Sequence, residues 1–327
     1  MTVLKIACLD VLAPAVQAET RDVASPDFEI RFANSYEPAE QLDLASGADF
    51  LLVGSAPVTA ALLERCGRVR LIQKYGVGID KIDLEAARRA GVPVAIAAGG
   101  NAAPVSELAL GLMIAVNRRM VFADRKTREG VWLKKEMRSW CYQLDGKTVG
   151  LLGFGAIARL TARRLSGFDV QVLYHSTRRA DPGTEHALRA QCVSLDELLE
   201  RSDILSIHLP LTTATHHLID AQALRKMKQG AILINTARGG IVDETALCEA
   251  LVSGRLRGAG LDVFAMEPPS ADNPLFKLDN VVVMPHAGGG VFDNVRKVMQ
   301  HAIGNMRKLL AGEPLAAADV VVPGRHA

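Results

Sequence analysis

Short apolar segments rich in β-branched residues alternate with longer segments of helical periodicity along most of the chain. Parallel sheets have this pattern, because their strands are buried on both faces and successive strands are joined by helical crossovers. In the first hundred residues the pattern predicts strands at 5–9, 29–33, 50–53, 71–74 and 94–97. A second series starts at Thr148 and predicts strands at 148–152, 171–174, 204–208, 231–235, 260–263 and 281–284.

The helical periodicity predicts one continuous helix over 105–128, with an apolar first half and a basic end, and a last helix over 294–310. The segment AAGGNAAP, residues 97–104, is rich in glycine and alanine and predicts a hinge between the two series. The sequence therefore predicts an α/β fold of two Rossmann-like or flavodoxin-like parallel-sheet domains with a cleft between them. Residues 1–100 with 290–327 would form a smaller substrate-binding domain, and 101–289 a nucleotide-binding domain.

Composition excludes several classes of protein. The chain is 49% hydrophobic and 23% charged, which argues against disorder, and its net charge of +2 with 5% aromatics argues against a nucleic-acid partner. No apolar run is long enough for a membrane span, and Asp10 interrupts the signal-like N-terminus, so we expect a buried strand there and a cytoplasmic protein. The scattered cysteines fit neither disulfides nor a metal site; they are Cys8, Cys66, Cys141, Cys192 and Cys248.

A glycine motif follows the first strand of the second series. Gly153, Gly155 and Ala158 form G-x-G-x-x-A between a predicted strand and a predicted helix. This is the setting that dinucleotide binding requires: a tight turn, a close backbone approach to the pyrophosphate, and anion-binding N–H groups at the helix start, here Ala156 and Ile157. We therefore predict a dinucleotide site.

The cofactor prediction depends on the end of the next strand. NAD sites usually have an acidic residue about 20 residues beyond the glycines, to hold the ribose hydroxyls. This chain has Ser176 and Thr177 there instead, followed by Arg178 and Arg179, whose guanidinium groups suit a 2′-phosphate. NADP(H) is the preferred prediction, NAD remains possible, and a solvated basic loop is the alternative without a cofactor role.

Three segments after later strands carry an Arg, a Glu and a His. Arg238 follows the strand 231–235, Glu267 follows 260–263 and His286 follows 281–284. Ligands of open α/β sheets bind at the carboxyl ends of the strands, so the three side chains are expected to meet there. A guanidinium can grip a carboxylate, an imidazole can protonate a nascent alkoxide, and a carboxylate can orient the imidazole and favour its charged form. The set suits reduction of a 2-keto acid.

The strings TVGLLGFGAIA, INTARGGIVDE, AGLDVFAMEPP and MPHAGG, with QKYGVGIDKID and NAAPVSELALGLMIA before them, resemble the D-isomer-specific 2-hydroxyacid dehydrogenase family over about residues 70–320. The resemblance implies catalytic roles for Arg238, Glu267 and His286. It also implies substrate-carboxylate binding at the backbone of Val77 and Gly78, cofactor contacts at Ala237 and Asp262, a position near the hinge for Asn101, and a homodimer through 105–142. The three glycines 288–290 depart from the family's usual pattern.

The preferred function is NAD(P)H-dependent reduction of a small 2-keto acid, as in glyoxylate and hydroxypyruvate reductases, and its reverse. Phosphoglycerate dehydrogenases of this family have a phosphate-binding Arg where this chain has Gly54, which favours an unphosphorylated acid. A D-3-phosphoglycerate dehydrogenase-like enzyme stays open, as does a cofactor-sensing binding protein of the corepressor type. Formate dehydrogenases of the superfamily pair a Gln with the His, and Glu267 argues against that activity.

Overall fold

The computed structural model describes residues 3–324 and divides into two compact units. Unit 1 runs up to Asn101 and resumes from Gly290 onwards, and unit 2 is Ala102–Gly289. The outermost positions of the predicted substrate domain, residues 1–2 and 325–327, lie outside the described residues. Each unit is a mostly parallel sheet with helices, so the predicted α/β fold class is confirmed. The functional roles assigned to the two domains stay predictions.

Unit 1 contains a six-stranded sheet in the order β13-β5-β4-β3-β1-β2. All its pairings are parallel except that of β13 with β5. The strands are β1 Leu4–Cys8, β2 Phe28–Phe32, β3 Phe50–Val53, β4 Leu71–Lys74, β5 Val94–Ile96 and β13 Val320–Val322. The helices are α1 Pro14–Ala24, α2 Pro38–Ser46, α3 Ala60–Glu64, α4 Leu84–Ala90 and α13 Phe292–Leu310. Apolar clusters cover both faces of this sheet, whose central strands β3 and β4 are buried at every position.

Unit 2 contains a seven-stranded, wholly parallel sheet in the order β12-β11-β10-β9-β6-β7-β8. The strands are β6 Thr148–Leu152, β7 Gln171–His175, β8 Ala190–Cys192, β9 Ile204–Ile207, β10 Ala231–Asn235, β11 Leu256–Leu261 and β12 Val281–Val283. The helices are α5 Ala102–Asn117, α6 Met120–Arg128, α7 Met137–Trp140, α8 Ala156–Leu165, α9 Pro182–Leu188, α10 Leu195–Arg201, α11 Ala221–Lys226 and α12 Glu244–Val252. The chain order reverses between β6 and β9, where doubly wound sheets bind their ligands.

The prediction of one continuous helix over 105–128 is wrong. The helix ends at Asn117, and Arg119 adopts a left-handed conformation with φ of 49° before α6 begins. The backbone carbonyl of Asn117 accepts a hydrogen bond from the N–H of Tyr142. That bond comes from a distant part of the chain, which helical periodicity does not encode.

Two short strands of the structure were not predicted from the sequence. The pattern missed β8 and β13, three-residue strands whose pairing depends on distant partners. Within residues 3–324 no helix is both long and apolar enough to cross a membrane. The same part of the chain holds no group of three or more His, Cys, Asp or Glu side chains arranged to bind a metal ion.

Candidate active site

The glycine motif forms a tight turn between β6 and α8. Gly153 has φ of +94°, which favours glycine, and a Cβ at this position would lie 2.8 Å from the backbone oxygen of His208. The turn therefore needs glycine both for its conformation and for its contact with the chain after β9. Ala158 is fully buried, as expected of the small residue where a helix packs closely on the sheet.

The start of α8 fits a cofactor phosphate. Gly155 is the N-cap residue and no side chain caps the helix, so the N–H groups of its first turn, from Ala156 and Ile157, are available to an anion. A Cβ on Gly155 would meet no atom within 4 Å. The space beside Gly155 would let a pyrophosphate approach the backbone closely at the start of α8.

The two arginines after β7 differ in their contacts: Arg179 is bound to a carboxylate, and Arg178 is exposed. Arg179 donates two hydrogen bonds of 2.9 Å to Glu185, and Tyr174 donates another of 2.6 Å to the same carboxylate. Arg178 is exposed and forms no ion pair with a carboxylate in residues 3–324. Ser176 is half-buried and Thr177 exposed beside it. Of the two arginines, Arg178 is therefore the better candidate for binding a 2′-phosphate.

The turn after β10 positions Arg238. The buried Asn235 side chain accepts a hydrogen bond from the N–H of Ala237 at 3.0 Å and donates to the carbonyl of Arg238 at 2.9 Å. The Arg238 guanidinium donates to the carbonyl of Ala237 at 2.7 Å. A Cβ on the next residue, Gly239, would overlap the backbone carbonyl of Phe264. Gly239, for which the sequence predicted no role, lets this turn approach the turn after β11.

Asp262, directly after β11, anchors the loop of His286. Its backbone carbonyl accepts from the N–H of His286 at 2.8 Å, and its side chain accepts from the N–H groups of Ala287 and Gly288 at 2.8 and 2.9 Å. Burial raises the pKa of the Asp262 carboxyl, and the two amide bonds oppose that shift. The structure thus gives Asp262 a loop-anchoring position, and its nicotinamide contact stays a prediction.

The candidate acid and its orienting carboxylate are in direct contact. Nδ1 of His286 lies 2.7 Å from Oε2 of Glu267, and Oε1 of Glu267 accepts from the N–H of Phe264 at 3.2 Å. With Glu267 ionised, Nδ1 carries the shared proton, and Nε2 remains for a reacting oxygen. The imidazole stays accessible, with 44% of the His286 side chain exposed. Unit 2 therefore places both groups, the Arg238 turn and the glycine motif at the carboxyl ends of one parallel sheet.

The predicted substrate-binding backbone lies in unit 1, after β4. The N–H groups of Val77 and Gly78 donate to no acceptor within residues 3–324, and both residues are half-buried. Two free, neighbouring N–H groups suit an anionic ligand.

Nearby in unit 1, the buried Asp10 carboxylate accepts hydrogen bonds from the backbone N–H groups of Gly54, Ser55 and Ala56. A Cβ on Gly54 would overlap the ring of Tyr75. Asp10 and Tyr75 determine the shape of this loop, a role that the sequence pattern did not predict for either residue.

Comparison with known proteins adds to this geometry. Residues 110–288 match the family described as D-isomer specific 2-hydroxyacid dehydrogenase, NAD binding domain. Hydroxypyruvate reductase of Thermotoga maritima is 40% identical over 265 residues, 80% of this chain and 85% of that protein. D-3-phosphoglycerate dehydrogenase of Mycobacterium bovis is 38% identical over 305 residues, 93% of this chain, but the match spans only 56% of its length.

A solved structure matches both units. The crystal structure of a glyoxylate reductase from Paecilomyes thermophila has a TM-score of 0.85 and 28% identity, covering 98% of this chain and 99% of that one. The likeness therefore extends beyond the nucleotide-binding region to almost the whole fold.

Proposed function

The chain belongs to the D-isomer-specific 2-hydroxyacid dehydrogenase family, and from this premise we propose that it reduces a small, unphosphorylated 2-keto acid to the D-2-hydroxy acid with NADPH. The resemblance read from the motifs is confirmed. The protein is an oxidoreductase that acts on CH–OH groups and uses a nicotinamide cofactor. The residue roles, the substrate and the preference for NADPH are parts of the proposal.

The observation that carries the proposal is the contact between His286 and Glu267 beside the Arg238 turn. A bound nicotinamide supplies the hydride. Nε2 of His286 then donates its proton to the substrate oxygen as that oxygen becomes a hydroxyl, and Arg238 grips the substrate carboxylate. Glu267 acts as a positioning residue, because it holds Nδ1 and so directs Nε2 outward. Binding of a carboxylate at the N–H groups of Val77 and Gly78 in unit 1 stays a separate prediction.

The preference for NADPH rests on Arg178. No acidic side chain stands at the end of β7, where an NAD site would hold the ribose hydroxyls, since Ser176 and Thr177 occupy those positions. Arg179 is held by Glu185, whereas the Arg178 guanidinium is exposed. A 2′-phosphate would give Arg178 a charge-assisted partner that NADH lacks.

The choice of an unphosphorylated acid rests on Gly54 and Tyr75. Gly54 brings no charge to the loop after β3, and the Tyr75 ring fills the space where a side chain at position 54 would begin. Asp10 adds a negative charge whose hydrogen bonds hold the same loop. A phosphate group would meet the Asp10 carboxylate and the Tyr75 ring here, and the Lys74 ammonium at this loop is already bound to the Gly54 carbonyl. Glyoxylate and hydroxypyruvate are therefore preferred to 3-phosphohydroxypyruvate.

We include a homodimer in the proposal. The segment that contains α6 and α7 exposes Trp132, with 75% of its surface accessible, together with Met120 and Val121. Isolated folded chains rarely expose such a group of large apolar side chains. Light scattering should give twice the chain mass of 35.1 kDa, and a particle of the single mass would contradict the dimer.

A substrate panel tests the function directly. The purified protein is given glyoxylate, hydroxypyruvate, pyruvate and 3-phosphohydroxypyruvate, each with NADPH and with NADH, and cofactor oxidation is followed by absorbance. We expect the highest kcat/KM for glyoxylate or hydroxypyruvate with NADPH. A preference for the phosphorylated acid would overturn the substrate assignment, and no reduction of any 2-keto acid would overturn the proposed function.

A further inference from the structure

A pocket of about 600 Å³ opens in unit 2 at the amino ends of the sheet strands. Lys147 directly precedes β6, Asp203 directly precedes β9, and Arg257 is the second residue of β11. The candidate catalytic residues follow the carboxyl ends of the same sheet, so the pocket lies at its opposite edge. We name it the amino-edge pocket and define it by part of its lining: Asn117, Arg119, Tyr142, Lys147, Asp203 and Arg257.

The amino-edge pocket carries an excess of positive charge. Within residues 3–324, none of Arg119, Lys147 and Arg257 forms an ion pair with a carboxylate, although all three line the pocket. The acidic member of the lining, Asp203, is already engaged. It accepts a 2.8 Å hydrogen bond from the N–H of Thr148 and lies 3.1 Å from Nζ of Lys228. Three cations therefore line a pocket whose acidic residue, Asp203, is already bound to Lys228 and to the N–H of Thr148.

Neutral groups hold the half-buried Arg257 guanidinium. The Arg257 guanidinium donates a 2.6 Å hydrogen bond to the side-chain oxygen of Asn117 and stacks on Tyr142, with 3.8 Å between its central carbon and the ring centroid. Asn117 is itself buried and donates to the carbonyl of Met113 at 3.0 Å. Nε of Arg257 is buried without a hydrogen-bond partner in the described part of the chain.

The amide of Asn117 and the ring of Tyr142 orient the half-buried Arg257 guanidinium but carry no negative charge themselves. Burial lowers the pKa of the Arg257 guanidinium, and the Asp203 carboxylate only partly opposes that shift, so the counter-charge is incomplete. An oxyanion in the pocket would supply it. The planar guanidinium suits two oxygens of one carboxylate or phosphate group, and Lys147 and Arg119 suit a second group on the same molecule.

We propose that the amino-edge pocket binds a small metabolite with at least two carboxylate or phosphate groups, at a site separate from the catalytic one. The volume falls in the range of small-molecule sites. The cations come from three separate segments, the α5–α6 turn, the approach to β6 and β11, and the fold brings them together. The proposal does not depend on which 2-keto acid the enzyme reduces.

Isothermal titration calorimetry of the full chain tests the proposal, with citrate as the polycarboxylate probe, inorganic pyrophosphate as the phosphate probe, and sodium chloride at matched ionic strength as the blank. We expect saturable binding of at least one probe. Lys147→Gln and Arg257→Lys should each weaken it about tenfold or more, the scale of a lost charge-assisted hydrogen bond. Lys277→Gln removes the same charge from an exposed position of unit 2 and should leave the affinity unchanged.

A further variant separates this site from the catalytic one. Binding should survive Arg238→Gln, because Arg238 lies at the opposite edge of the sheet. Citrate binding alone would assign a polycarboxylate, and pyrophosphate binding alone a phosphorylated ligand. The proposal is overturned if neither probe binds, if Arg238→Gln abolishes binding, or if Lys277→Gln weakens it as much as Lys147→Gln. Lys147 lies outside the buried Arg257–Asn117 contact, so Lys147→Gln keeps the test open if Arg257→Lys fails to fold.

Discussion

Nδ1 of His286 and Oε2 of Glu267 lie 2.7 Å apart, although 19 positions of the chain separate the two residues. The parallel strands β11 and β12 bring them together, since each residue follows the carboxyl end of one strand. Asp262 fixes the His286 loop by accepting three backbone hydrogen bonds from it. The relationship therefore depends on main-chain geometry as much as on the two side chains.

Removing the imidazole should abolish most turnover without affecting the cofactor. In His286→Ala, kcat for 2-keto acid reduction is expected to fall about 10²- to 10⁴-fold, the usual contribution of a general acid. NADPH affinity, measured by fluorescence titration, should stay unchanged because the imidazole acts on the substrate oxygen. His186→Ala changes an exposed histidine of α9 and serves as the control. Near-parental activity of His286→Ala would remove His286 from the mechanism.

Neutralising Glu267 should change the pH dependence of the reaction. The carboxylate stabilises a positive imidazole that it contacts directly. Glu267→Gln keeps a side-chain oxygen but removes the charge, so the reduction rate should begin to decline at a lower pH than in the parent. The check is a kcat/KM profile against pH, with thermal melting to verify folding. An unchanged profile would show that Glu267 has no electrostatic influence on the proton donor.

The exposed arginine after β7 should distinguish the two cofactors. Arg178→Gln is expected to weaken NADPH binding about ten- to a hundredfold and NADH binding little, because NADH lacks the 2′-phosphate. Arg179→Gln is the matched control: its guanidinium is bound to Glu185, so both cofactors should respond to it similarly. Dissociation constants for both cofactors give the answer, and equal losses in Arg178→Gln would refute the preference for NADPH.

The close approach of two active-site turns should make Gly239 sensitive to a single methyl group. A Cβ there would overlap the Phe264 carbonyl, so Gly239→Ala must displace the Arg238 turn or the turn after β11. A shift of about an ångström in a catalytic group can cost on the order of 10²-fold in rate. Gly167→Ala is the control, since a Cβ there meets nothing within 4 Å. Equal kcat values for the two variants would contradict the predicted crowding.

The stability of the protein should depend on His208 at mildly acidic pH. Desolvation lowers the pKa of His208 from 6.5 to about 4, and its Nε2 lies 3.0 Å from the Ser206 hydroxyl. Between these two values the unfolded chain binds a proton that the folded chain does not, so the free energy of unfolding decreases as the pH falls through that window. His208→Gln should lose less stability than the parent between pH 7 and 5 in urea melts. The exposed His186→Gln is the control, and an equal pH dependence in all three proteins would contradict this assignment.

Local signals predicted much of the fold. Most strands lie within a residue or two of their predicted positions, as at 148–152, because burial on both faces leaves a strong pattern. The exception is β11, predicted at 260–263, which begins at Leu256; its first half contains Arg257 and Gly258 and therefore lacks an apolar run. The glycine motif could be recognised for a different reason: the positive φ of Gly153 and its close contact with the His208 backbone both require glycine. Arg238, Glu267 and His286 could be proposed from the sequence because each follows a segment that was predicted to be a strand.

Contacts between residues far apart in the chain could not be predicted from the local sequence pattern. The bond from Arg179 to Glu185 depends on the side-chain directions of a loop and a short helix, and without it the two arginines look equivalent. The left-handed Arg119 breaks a helix whose periodicity continues beyond it. Tyr75 fills the space beside Gly54 through the pairing of β3 with β4, which composition does not encode.

The chain enters unit 1, leaves it, and returns to it at Gly290. Met299, Ala302, Ile303 and Met306 of α13 belong to the same apolar cluster as Phe50 and Leu71. During synthesis, unit 2 has its complete sequence once Gly289 has been added, whereas the cluster of unit 1 lacks one wall until α13 emerges. The apolar side chains of unit 1 that α13 covers therefore stay exposed in the nascent chain until α13 has been synthesised.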